Sequence, residues 1–78
     1  MKFELGDIII YTDSDRFTEF LGEVGRVEDQ STSPTGQNQV TVRWLNKIEF
    51  QGIPADRSKF PSNSFDKLSI NVQNIIKN

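Results

Sequence analysis

The sequence contains neither cysteine nor histidine. The first absence excludes disulfides, and nothing in it points to an oxidising compartment. Together the two absences remove the ligands of a structural zinc site. They also remove the commonest general base and the strongest nucleophile of enzyme active sites. The chain therefore reads as a non-enzyme, with no catalytic residue, metal or cofactor expected. Long apolar runs are missing as well. The longest, Ile8 to Tyr11, is far too short to cross a membrane. The opening Met1-Lys2-Phe3-Glu4-Leu5-Gly6-Asp7 lacks the apolar stretch of a signal peptide. A cytoplasmic protein without membrane insertion is expected.

What is present suits one small domain spanning 1–78, with its core at about 3–72. Seventy-eight residues carry six Phe, one Trp and one Tyr, and stability must come from packing these with Ile, Val and Leu. The dominant pattern is alternation in short runs separated by turn residues. Val40, Val42 and Trp44 point one way, and Thr41 and Arg43 the other. Ile8-Ile9-Ile10-Tyr11 is apolar on both faces, Ile48 and Phe50 alternate around Glu49, and Leu68, Ile70 and Val72 alternate around Ser69 and Asn71. Val24 and Val27 are three apart, and Gly25 between them is the expected place for a β-bulge. Five strands are expected near 6–11, 22–29, 39–46, 47–52 and 67–72. Residues 30–39 hold no apolar side chain and read as a long flexible hairpin loop. Residues 52–63, with Pro54 and Pro61, read as a long connection, and residues 15–21 as an irregular loop or one helical turn. Residues 72–77 are expected to form a short C-terminal tail. Five short strands and no long helix imply an all-β, five-stranded SH3-like barrel, with the OB-fold as its structural rival.

Few groupings could carry chemistry. Asp13 and Asp15 flank Ser14 and could hold a hard cation, but the EF-hand spacing is not completed, and Asx-turn roles suit them better. Glu28-Asp29 reads as a strand end. Gly22-Glu23-Val24-Gly25 lacks the Lys-Ser/Thr and the helix that a phosphate loop requires. The charge is more informative. The net charge is −2, yet residues 1–33 have a balance of −5 and residues 34–78 a balance of +3. Such a bias can mark a docking face, or it can be ordinary surface charge. Alternation puts Arg43 on the outer face of its strand, where it can offer a rigid fork to a carboxylate or phosphate, or simply keep that face polar. With Lys47, Arg57 and Lys59 it makes the expected binding surface for another protein. A second reading is nucleic-acid binding by these bases and Lys67, with Phe50, Phe60 and Phe65 as stacking platforms. The acidity of the whole chain opposes it.

The motifs Leu5-x-Asp7-Ile8-Ile9-Ile10-Tyr11, Gly22-x-x-Gly25-x-Val27, Val40-Thr41-Val42-Arg43-Trp44 and Phe65-x-x-Leu68-x-Ile70 resemble SH3-like barrels of the KOW and Tudor type. A narrower series is similar to the photosystem I subunit IV family (PsaE). It consists of Glu23-Val24-Gly25-Arg26-Val27, Asp29-Gln30-Ser31, Val40-Thr41-Val42-Arg43-Trp44, Lys47-Ile48-Glu49-Phe50-x-Gly52 and Asn63-Ser64-Phe65. That family is an SH3-like barrel which helps dock ferredoxin, and the resemblance implies a docking role for Arg43. The chain departs from it in its first strand, Ile8-Ile9-Ile10-Tyr11, in Thr18-Glu19-Phe20, and in the longer 32–39 segment. The expectation is a small non-catalytic accessory protein, acting as a monomer or as a subunit of a larger complex.

Overall fold

In the computed structural model, residues 3–68 are described. The chain is all-β. Strands β1 (Ile8–Tyr11), β2 (Val24–Thr32), β3 (Asn38–Trp44), β6 (Arg57–Pro61) and β7 (Phe65–Lys67) form one antiparallel sheet in the order β6-β3-β2-β1-β7. Strands β4 (Glu49–Phe50) and β5 (Ile53–Pro54) make a separate two-stranded ribbon. Single 3-10 turns lie at Thr18–Phe20 and Ser62–Ser64.

The connectivity forces this sheet to roll. Strands β6 and β7 occupy its two opposite edges, yet only the turn Ser62–Ser64 separates them in the chain. So short a link cannot cross a flat five-stranded sheet, whose neighbouring strands lie about 4.8 Å apart. The edges instead curl toward each other, and the rings of Phe60 and Phe65 lie 6.3 Å apart. The turn is anchored from below, where the Ser64 carbonyl accepts from Thr12 N–H at 2.9 Å. A small antiparallel domain of this form is compatible with an SH3-like barrel.

The inward residues meet inside the roll. Ile9, Tyr11, Val27, Val40, Val42, Trp44 and Phe65 are buried with Phe3, Phe20 and Ile48. The alternation of Val40, Val42 and Trp44 holds as expected. Phe20 stacks on Trp44 at 5.1 Å, and Tyr11 meets Phe65 edge-on at 5.2 Å. Full burial of one such side chain stabilises by about 1.5–3 kcal/mol. The Trp44 indole N–H donates to Ser58 Oγ at 2.9 Å, so its polar group is not left unpaired in the core.

Several expectations are corrected. Half of the polar segment 30–39 is strand, because β2 runs to Thr32 and β3 begins at Asn38. Backbone pairing needs no apolar side chain, and the turn proper is closed by Ser33 N–H to the Gln37 carbonyl at 2.8 Å. The bulge lies between Val27 and Asp29, not at Gly25, which pairs regularly with Trp44. Glu28 and Asp29 therefore lie inside a strand and not at its end. The expected strand at 47–52 shrinks to Glu49–Phe50, paired locally with Ile53–Pro54. The expected connection 52–63 contains β6, whose alternation was disguised. Ser58 stands where an apolar residue would face inward, and Pro61 is tolerated because β6 is an edge strand. The last strand among the described residues is Phe65–Lys67. The remainder of the expected 67–72 strand, from residue 69, and the expected tail lie outside the described residues.

A basic row beside an apolar groove

The outer face of the sheet carries three arginines in register. Arg26 on β2 lies opposite Arg43 on β3, which lies opposite Arg57 on β6. Each is turned outward because its strand neighbours, Gly25 and Val27, Val42 and Trp44, or Ser58, face in. Like charges placed directly across strands repel. Glu28, two residues after Arg26 and left out of the ladder by the bulge, stands on the same face and offsets this repulsion. Its Oε2 accepts from Arg43 Nε at 2.9 Å, and its Oε1 lies 3.4 Å from Arg57 Nε. The hydrogen bond from Arg43 holds the Glu28 carboxyl below its usual range, with the charges of Arg43, Arg57 and Arg26 adding to it. The Arg43 guanidinium is correspondingly held more firmly in its charged form. Lys59, also outward, follows Arg57 on β6 opposite Thr41.

Of the residues expected to bind, Arg43, Arg57 and Lys59 are thus brought onto one face across β3 and β6. Lys47 is not placed with them. It lies between β3 and β4 and lines a separate depression of about 230 Å³ with Ile48, Glu49, Pro54 and Asp56. Arg26 and Glu28 lie on the same face and were not expected there. Alternation around Gly25 and Val27 did signal an outward Arg26, but which residues face each other across strands is not written in any one segment.

Arg57 also stands on the wall of a groove of about 350 Å³. Its lining comes from three places: Phe17 and Phe20 from the segment after β1, Phe50, Gln51, Ile53, Pro54 and Ala55 from the β4–β5 ribbon and the residue after it, and Arg57, Ser58 and Phe60 from β6. Phe17 is 46 % exposed, with its ring 5.1 Å from that of Phe60 and 5.8 Å from that of Phe50. Ile53 is 68 % exposed. Phe17 (φ 49°) and Gln51 (φ 55°) are the non-glycine residues with left-handed backbone among the described residues, and both line this groove. At Gln51 the positive φ belongs to the two-residue turn Gln51-Gly52 joining β4 and β5, whereas at Phe17 the conformation is uncommon and costs on the order of 1–3 kcal/mol.

Asp13 serves the fold. Its Oδ1 accepts from Asp15 N–H at 2.9 Å, an Asx turn, and its Oδ2 accepts from Ser64 Oγ–H at 3.0 Å. The Asp15 N–H bond is the main cause holding its carboxyl below the usual range. Among the described residues no group of three or more Asp or Glu is placed to hold a metal ion, and no helix is long and apolar enough to cross a membrane. Comparison with protein-family models, curated proteins and solved structures finds no match to this chain.

Proposed function

We propose that this chain is an SH3-like barrel acting as a non-catalytic protein-binding module, and that it docks through the outer face of β2, β3 and β6. The observation that carries the reading is the row Arg26–Arg43–Arg57, in register on three paired strands, with Glu28 ion-paired to both Arg43 and Arg57. A guanidinium has five donors in a fixed fork. Glu28 takes one Nε from each of two of them, which leaves donors of the row directed at solvent. Holding them on strands, not on a loop, fixes their spacing before any partner arrives, so less entropy is lost on binding. Lys59 extends the positive face along β6.

The reading is tested by affinity capture from the source organism with the wild-type chain and the charge-reversed Arg43→Glu variant as paired baits. The wild-type chain is expected to retain a partner that the folded variant loses, and that elutes as salt is raised. A partner recovered equally by both baits would remove this face as the docking surface. Glu28 at the centre of the row, on a chain of net charge −2, weighs against nucleic acid as the ligand, since phosphate binding requires an unbroken cationic track.

A further inference from the structure

We infer that the groove beside Arg57 receives the apolar side chain of a partner segment whose neighbouring carboxylates pair with Arg57 and Arg43. This rests on the protein-docking reading and names the chemistry of what docks. Three independent features converge on it. Phe17 and Ile53 leave large apolar surface in water at the lip of the groove, while the other groove aromatics continue into the core. A space of about 350 Å³ lies at the lower end of the range for ligand-sized pockets, which suits one anchoring side chain.

The second feature is backbone strain at the wall formed by Phe17, which holds a left-handed conformation that its side chain disfavours, whereas the positive φ of Gln51 belongs to the two-residue turn Gln51-Gly52 that joins β4 and β5. The third is charge. Arg57 belongs to the groove and to the arginine row at once, so a segment whose apolar residue enters the groove brings its neighbours to Arg57 and Arg43. Both carboxylate oxygens of Glu28 are already engaged, which makes additional carboxylates the complementary groups. A nucleic acid would offer stacking bases to the same rings, but its backbone would run against Glu28 and the acidic remainder of the chain.

The test uses the full chain, labelled with ¹⁵N, and short synthetic peptides in which one Phe is flanked on both sides by Glu and Asp. Amide shifts are expected at residues 17, 51, 53 and 57. Replacing the peptide's Phe by Ala should weaken binding about tenfold or more. Lysine-flanked peptides should not bind. Ile53→Asp, at an exposed position, should block the Phe peptide while leaving the rest of the amide spectrum unchanged. Equal binding of the Ala peptide would overturn the groove inference and leave the arginine face standing. So would silence at residues 17, 51 and 53 with every peptide, provided the Arg43→Glu bait still loses its partner. Tighter binding of a short oligothymidylate at the same amides would assign the groove to nucleic acid instead.

Discussion

Gly25 lies directly across from Trp44 on the neighbouring strand, and β3 packs against it more tightly than an added side chain ordinarily tolerates. A Cβ there would stand 3.0 Å from the Arg43 carbonyl oxygen, 3.2 Å from Val42 Cβ and 3.3 Å from Trp44 Cε3. The nearest of these atoms is backbone and cannot swing aside. Gly25→Ala is therefore expected to destabilise the domain by about 1–3 kcal/mol through overpacking. In a chain of this size that lowers the melting temperature by roughly 4–8 °C per kcal/mol. Thermal unfolding followed by circular dichroism checks it, and an unchanged midpoint would contradict the close contact.

The other side of the same indole makes a separate prediction. Ser58→Ala deletes the acceptor of the Trp44 N–H bond and leaves that donor in the core without its partner. A loss of about 1–3 kcal/mol is expected in urea unfolding, with little change in m-value. Ser58→Thr, which keeps the hydroxyl, should recover part of that loss.

Stability should fall on both the acid and the alkaline side, for different residues. The Glu28 and Asp13 carboxyls are lowered in the folded state by their donors. Their contribution is complete above the unfolded carboxylate value of about 4 and is lost as pH falls through the lower folded values. Burial, the largest cause, pushes the Tyr11 phenol up. Its contribution is complete below the unfolded value of about 10 and is lost as pH rises through the folded one. The neutral hydroxyl also donates to the Arg16 carbonyl at 2.6 Å, which a phenolate cannot do. Urea midpoints measured across pH should show a shallower acid limb for Glu28→Gln and Asp13→Asn, and a shallower alkaline limb for Tyr11→Phe.

Glu28 competes with any acidic partner for Arg43 and Arg57. Glu28→Gln is expected to strengthen capture of the partner and to steepen its salt dependence, opposite in sign to Arg43→Glu. Surface plasmon resonance on the captured partner would show the gain chiefly in the association rate at low salt. Weaker binding by Glu28→Gln would mean that Glu28 itself touches the partner.

The sequence announces the parts of this fold that depend on alternation and little that depends on pairing. Val40, Val42 and Trp44 could be placed in the core because Thr41 and Arg43, the residues between them, are polar and outward. Arg43 could be placed outside for the same reason. Strand β6 escaped notice because a serine occupies its first inward position, where the Trp44 hydrogen bond makes a polar residue suitable. The strand ends Gln30–Thr32 and Asn38–Gln39 escaped it because both faces are polar there. The arginine row joins residues 26, 43 and 57, and the groove joins residues 17, 50 and 60. Both are products of register and closure, which no local run of residues records.

The three-residue link between β6 and β7 also bears on the order in which the chain folds. Strands β2 and β3 meet across a short turn, whereas Tyr11 must find Phe65 from the far end of the chain. Loop-closure entropy makes the hairpin the cheaper nucleus and the β1–β7 pairing the later event. Substitutions such as Val40→Ala should therefore slow refolding, and Phe65→Leu should mainly speed unfolding. Stopped-flow chevrons of the two variants would separate these effects, and a folding rate more sensitive to Phe65 than to Val40 would reverse the order.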